Sequence, residues 1–370
     1  MARVALFALA ALVVSVGVTA GPAHAAEGWL SMRTGYYKER STRVVQPMID
    51  AHVDLNDQDA IDAHVLVDSI TSASSATGAP VMAGQAIPQF DEKRYEGGAG
   101  YSHTFGAFKL GGAVGRSTES DYDSNFFDLR GELSLDEKNT VVALNLARNF
   151  DTVTNGAAPG ASVHFEDTMQ GGSSSLSLTQ LLSPELYATF VYDFMDTHGY
   201  QANPYRRVSG SNAPVPERAP RYRYRHAGYA GLRGRLPASE TTYVLGYRLY
   251  GDDWGIWAHS IEARVVQELT RGLEVRARYR FYTQSAAFFY EDTYTADQID
   301  HDKYVTDDAK LDAFHAQVFG LQALAALSLF GVEGTWSELR VDAILERVLQ
   351  TSAFGDAWSA QLGLVVPLAW

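Results

Sequence analysis

The chain has 370 residues, 44 acidic and 30 basic side chains for a net charge of −14, and no cysteine. The lack of cysteine excludes disulfides, thiolate metal sites and an N-terminal lipid-modified cysteine, and the acidic balance argues against a nucleic-acid partner. Beyond the N-terminal segment no stretch approaches the roughly 18 apolar residues of a membrane helix, whereas 32 glycines, 20 tyrosines and 17 phenylalanines suit a wall of strands with close backbone contacts and aromatic borders.

In chain order, Arg3 and the apolar run "VALFALAALVVSVGV" precede "AHA" at Ala23 to Ala25, the pattern of an export leader with a small-residue cleavage site. Residues 1–26 are expected to be removed, an uncleaved anchor being the alternative, and residues 27–370 to form one domain. Period-two alternation then predicts strands over 43–55, 61–71, 94–103, 105–115, 125–135, 140–149, 171–182, 185–194, 221–236, 240–251, 256–268, 272–284, 312–325, 336–349 and 357–368. Their connections alternate in length. "NDQD", "HTF", "DEKN", "LSPE", "LPAS" and "LTRG" are short, and 72–93, 151–170, 197–220 and 285–311 are long, with medium loops near Thr118 and Asp252 in the same phase.

Transmembrane β-barrels carry short periplasmic turns and long outer loops. That phase makes 43–55 a descending strand and requires one before it. "WLSMRTGYYKE" at 29–39 supplies it, giving an all-β, antiparallel transmembrane barrel of sixteen strands. Fourteen is the alternative if 321–346 reads otherwise, and a further alternative has 27–39 threading the lumen as a plug. The final "AWSAQLGLVVPLAW" places Trp358, Ala360, Leu362, Leu364, Val366, Leu368 and Trp370 on one face. It resembles the last strand of bacterial outer-membrane barrels, with a strand of a soluble sandwich as the alternative. The partners expected are therefore outer-membrane lipid and the barrel-assembly machinery, engaged through the strand that ends in Trp370.

In such a barrel polar side chains face the lumen and apolar ones the lipid. The stretch "DAHVDLNDQDAIDAHVLVD" repeats Asp-x-His on either side of one turn, so Asp50, His52, Asp54, Asp62, His64 and Asp68 are expected to face inward. With the turn centred on Gln58, His52 lies opposite His64 and Asp54 opposite Asp62, about 5 Å apart at Cβ. Two imidazoles with carboxylates suit a divalent transition-metal ion; the plainer alternative is a polar inner wall. No other cofactor is expected.

The middle of the chain has the opposite sign. From Arg206 to Arg280 it holds fourteen arginines, no lysine and seven acids. By parity Arg221, Arg223, Arg225, Arg233, Arg235, Arg248, Arg264, Arg276, Arg278 and Arg280 face inward and form a basic wall, with other sectors rich in carboxylate. Such a wall sets up a transverse field that sorts solutes by charge and dipole; alternatively, arginines and acids on neighbouring strands form ladders that fill the barrel. The seven acids of loop 285–311 follow no calcium-loop pattern and read as a solvated acidic loop.

The strings "YYKERSTRVVQPMID", "VDSITSASSATGAP", "GYQANPYRRV", "PERAPRYRYR" and "KYVTDDAKLDAF" together resemble an uncharacterised bacterial outer-membrane β-barrel family, domain of unknown function 3570. The resemblance implies a barrel and an outer-membrane location but no activity; the association of some relatives with thioredoxin-like and flavin-attachment proteins implies redox or metal handling. It marks Asn203, Tyr205 and Arg206, with Asp68, Ser69 and 71–74, as loop positions of interest. Their alternative role is turn packing, since Asn-Pro-Tyr forms turns and Ser and Thr bond local backbone.

The function expected is a porin-like conduit for small polar or charged solutes or a metal species. A filled scaffold or secretion-partner barrel, serving for example a polysaccharide export or a redox or metal-handling system through an undefined periplasmic partner, is the alternative. A barrel hydrolase using an Asp/His pair is a third reading, disfavoured because the loop phase puts His52 and His64 at the periplasmic end.

Overall fold

The computed structural model describes residues 27–73, 89–155, 165–208 and 214–369. The expected leader at 1–26 and Trp370 lie outside these residues. Among them, β1 (Glu27–Lys38), β2 (Thr42–Asp54), β3 (Asp59–Ala73), β4 (Gln89–Phe105), β5 (Phe108–Thr118), β6 (Tyr122–Leu135), β7 (Thr140–Thr154), β8 (Glu166–Ser183) and β9 (Leu186–Gly199) follow one another. A two-stranded hairpin of β10 (Arg207–Val208) and β11 (Val215–Pro216) interrupts the series. It resumes with β12 (Tyr222–Leu236), β13 (Thr241–Asp252), β14 (Trp257–Thr270), β15 (Leu273–Gln284), β16 (Phe314–Ala326), β17 (Arg340–Gln350) and β18 (Ala357–Ala369).

Every neighbouring pair is antiparallel, β9 pairs with β12, and β1 closes on β18 from Glu27↔Ala369 to Lys38↔Trp358. The result is a closed sixteen-stranded barrel. Closure leaves no edge strand, so the ladders run round the whole wall, broken between β2 and β3 at Gln46 and Pro47 and by bulges near Thr270 and Ser183, as hydrocarbon demands of a spanning sheet. The plug alternative falls here: residues 27–38 are a wall strand hydrogen-bonded on both sides. So does the fourteen-strand alternative.

Alternation decides which face is which. Val114, Ile261, Leu321 and Leu362 are each more than half exposed on the outer face. In water such a band would be a large apolar patch; around a closed barrel it is the surface that meets lipid. No described helix is long and apolar enough to cross a membrane. On the inner face two contacts depend on glycine. A Cβ on Gly115 would sit 2.3 Å from the Phe126 ring, and Cβ atoms on Gly231 and Gly246 would sit 2.4 and 2.7 Å from the Tyr229 hydroxyl. Each aromatic side chain thus occupies the space over glycine backbone on the same or the next strand.

The two rims differ. At one, β4 and β5 join through Gly106 and Ala107, with Gly106 at φ 61°, and the β2–β3 turn is pinned by Asn56 Oδ1 accepting from the backbone N–H of Gln58 (2.8 Å) and Asp59 (3.0 Å). The exception at this rim is the β16–β17 connection. The expected strand start at Trp336 is replaced by 3-10 turns at Leu327–Phe330 and Gly334–Glu338, because Gly331 and Gly334 reverse the chain at φ 79° and 74°.

At the other rim residues 200–208 and 214–221 fold together with the connection 285–313 as a cap. Val208, Tyr294, Ile299 and Val305 bury one another, and Trp254, Ile256, Ala287 and Phe289 make a second small core beside them. Arg218 and Val305 exchange backbone hydrogen bonds of 3.0 and 2.9 Å between the two connections. A short helix, α1 (Ala296–His301), starts at a capping box of Thr295 and Gln298. These loops are therefore folded structure, yet Glu291, Asp292, Asp297, Asp300 and Asp302 stand exposed on them, as a solvated acidic loop requires, and only Asp307 and Asp308 are partly buried.

Candidate functional site: a lumenal cavity beneath the cap

A cavity of about 1220 Å³ lies in the lumen under the cap. Its wall on β12, β13 and β15 presents Arg223, Arg225, Arg248 and Arg280. Arg223 is fixed: its Nη2 reaches Asp252 at 2.5 Å and its guanidinium stacks 4.1 Å from the Trp254 ring. Arg248 pairs with Asp193 at 2.5 Å. Arg280 donates from Nε to Ser260 Oγ at 2.8 Å and lies over Tyr282. Alternation along β12 explains the series: Arg223 and Arg225 share the inner face while Tyr222 and Tyr224 take the outer one.

The remaining predicted arginines lie elsewhere. Arg221 donates twice to Asp167, at 2.8 and 2.9 Å, at the cap end. Toward the short-turn rim Arg278 bridges Glu262 and Glu346, both at 2.8 Å, Arg264 also meets Glu262 at 2.8 Å, and Arg276 pairs with Glu274. Arg233 stacks on Tyr187 and Arg235 meets Glu240 at 3.3 Å close to the β12–β13 turn. The inward arginines thus divide into a cavity set and a ladder set, and both arrangements that parity allows are present at different depths.

Across the cavity stand carboxylates that the sequence reading passed over. Glu92 on β4 and Glu119 and Asp121 on the β5–β6 connection bring oxygens within 4.8 Å of one another. Glu92 and Asp121 are hydrogen-bonded, Ser120 donates to Glu92 at 3.1 Å, and the Tyr205 hydroxyl donates to Asp121. Arg94 approaches Glu119 at 4.0 Å, but its closer partner is Asp68 at 2.6 Å. Burial pushes the Glu119 carboxyl above its ordinary range. The signal in the sequence was "TESDYD", an acidic turn between two strands, which reads as an ordinary solvated connection until a loop folds over it.

The loop motif supplies that cover. Asn203 Oδ1 accepts from the Tyr205 N–H at 2.9 Å, an Asx turn, and its own N–H donates to Glu217 at 2.5 Å. Arg206 spans Glu217 at 3.3 Å and Asp308 at 2.6 Å. Tyr205 itself lines the cavity.

The Asp/His hairpin does not assemble as expected. The register pairs His52 with Asp62 and Asp50 with His64, so the turn is centred on Asp57 and the two imidazoles are not opposed. The Asn56 side chain, gripping the N–H groups of Gln58 and Asp59, sets this register. His52 instead contacts Asp62 at 2.7 Å and Asp54 at 3.3 Å, and His64 meets Glu96 at 3.5 Å. Asp50 accepts from Arg33 at 2.5 Å and Asp68 is held by Arg94. His52, Asp54 and Asp62 thus form one small group, while Asp50, His64 and Asp68 each pair with a residue outside the six.

A closed antiparallel barrel with an apolar outer band and a charged lumenal cavity defines a transmembrane β-barrel. Within that class the chain belongs to the family described as protein of unknown function, DUF3570, whose family model matches residues 81–346. A comparison with curated proteins finds no match. Among solved structures the chain is similar to OccK3 (OpdO) of Pseudomonas aeruginosa, at 12% identity over 93% of this chain and 96% of that one, TM-score 0.48. It is also similar to a BenF-like porin from Pseudomonas fluorescens Pf-5, at 10% identity over 93% and 99%, TM-score 0.49. A third is the outer membrane protein OprD of Pseudomonas aeruginosa, at 12% identity over 93% and 94%, TM-score 0.45.

Proposed function

We propose that this barrel is a bacterial outer-membrane conduit for small polar and charged solutes. The observation that carries the reading is the cavity, lined by arginines on β12, β13 and β15 and by carboxylates on β4 and the β5–β6 connection. Charges of opposite sign on different walls of a low-dielectric tube create a lateral field, which orders water and discriminates among solutes without a tight binding step. The cap narrows the approach from the long-loop side, which is the outer side by the usual asymmetry of such barrels.

A filled scaffold barrel is the second reading. The observation in its favour is the bridge of Arg278 on β15 to Glu262 on β14 and Glu346 on β17, a ladder over the inner face of four neighbouring strands. Conductance of the purified barrel in a planar lipid bilayer separates the two. Stable open steps with a reversal potential in a salt gradient support the conduit, whereas a folded, inserted barrel that passes no current overturns it.

A further inference from the structure

Which solutes such a conduit favours depends on the charges in the cavity that the protein does not already neutralise. Arg223 and Arg248 each have a carboxylate at 2.5 Å. Arg225 and Arg280 have none within ion-pair distance among the described residues; Arg280 holds only Ser260. Both guanidiniums therefore keep donors free for a carboxylate, the planar group they fit best.

The acid wall has the complementary excess. Among the described residues Glu92 and Asp121 have no ion-pair partner, and Glu119 has only Arg94 at 4.0 Å, which is already engaged by Asp68 at 2.6 Å. Beside them Asp151, only 3% exposed, also lines the cavity, and its shielded Oδ1 has no hydrogen-bond partner among the described residues. Its other oxygen accepts from Tyr122 at 2.5 Å and Asn149 at 2.6 Å, which fixes the carboxylate in place.

The ring order sets Arg280 and the β5–β6 turn on opposite walls, while Arg225 on β12 lies three strands from Asp151 on β7. β15, which carries Arg280, lies eight strands from β5 in either direction round the sixteen-stranded wall, and the turn that follows β5 carries Glu119 and Asp121. A solute bearing one charge is attracted to one wall and repelled from the other. A solute bearing both, held apart, is attracted to both at once.

We propose that the cavity selects zwitterionic solutes with separated ammonium and carboxylate groups, the carboxylate directed to Arg225 and Arg280 and the ammonium to Glu119, Asp121 and Asp151. This inference rests on the conduit reading above. An amino-acid-like or short-peptide solute has that chemistry.

Uptake into proteoliposomes containing the full barrel tests it with three peptides of equal backbone length: glycylglycine, its N-acetyl anion and its amide cation. The zwitterion is expected to enter about threefold or more faster than either singly charged peptide, because its dipole aligns with the field between the walls and neither wall repels it as a whole. The double variant Arg225→Gln/Arg280→Gln and, separately, Glu119→Gln/Asp121→Asn should each abolish that preference while ion conductance persists. Equal uptake of the three peptides, a preference for either singly charged peptide, or a zwitterion preference that survives both variants overturns the inference and leaves the conduit reading standing. A barrel that admits none of the peptides and passes no current overturns both.

Discussion

Arg206 places its guanidinium 2.6 Å from Asp308 and 3.3 Å from Glu217, joining the connection after β9 to the connection after β15. The pair is well shielded: the side chains of Arg206 and Glu217 are 12% and 5% exposed. Glu217 also accepts from the hydroxyl of Thr306, a fully buried residue. Removing the arginine leaves buried carboxylates facing one another.

Arg206→Ala should therefore loosen the cap by about 3 kcal/mol, the scale of stranding one partner of a buried ion pair. Limited proteolysis should cut the variant within 285–313 under conditions where the parent resists, while the barrel itself stays heat-resistant in gel-shift assays. Unchanged protease resistance would show that the two small apolar cores hold the cap without the ion pairs.

The ladder arginines should behave differently from the cavity arginines. Arg278→Met removes the bridge between Glu262 and Glu346 and should lower barrel stability by about 1–2 kcal/mol, since these groups are only partly shielded. Urea titration of folding in vesicles reads this directly. Arg280→Gln should cost less stability and should shift the reversal potential toward cation preference, because it removes a lumenal charge that no carboxylate offsets.

Acidification should turn selectivity toward anions. Glu119 is flanked by Arg94, Asp121, Asp68 and Glu92, and its burial raises the carboxyl above its ordinary range. A raised carboxyl takes up its proton at higher pH than an exposed one, so the acid wall begins to lose charge before ordinary carboxylates titrate. The arginines stay charged throughout. Reversal potentials measured from pH 8 down to about pH 5 should move monotonically toward the anion value, and Glu119→Gln should remove the early part of that movement.

Gly115→Val should destabilise the wall by about 1–3 kcal/mol, the usual scale of overpacking. The added atoms would meet the Phe126 ring at 2.3 Å and the Gly97 carbonyl oxygen at 2.9 Å. The double variant Gly115→Val/Phe126→Ala should recover part of the loss in the same urea titration, because the ring is then absent and only the backbone contact remains.

Much of the wall was legible because a barrel strand obeys one rule, alternation, and obeys it in nearly every segment. The strand over 29–39 was legible only through loop phase, and its pairing with β2 and β18 agrees with that reasoning. The strand edge at Trp336 was not, since two glycines at left-handed φ produce tight turns that alternation alone reads as more strand. At the site, parity placed Arg223, Arg225, Arg248 and Arg280 on the inner face, but it carries no information on depth, so it could not separate them from Arg276 and Arg278. The hairpin register shifted because a single Asn56 side chain, invisible to a pattern of apolar and polar positions, fixed where the turn lies. Glu119 and Asp121 gained their importance from Tyr205, which is more than eighty residues away in the chain.

The seam between β1 and β18 joins Glu27 to Ala369, the widest sequence separation in the wall. Before it forms, two full strands present unpaired amides and carbonyls, which water tolerates and hydrocarbon does not. A half-made wall therefore has no stable place in the bilayer interior. Crossing into lipid and zipping the seam are therefore expected to be coupled, and weakening the Met32↔Leu364 region of that seam should slow insertion into vesicles more than it lowers the urea stability of the finished barrel.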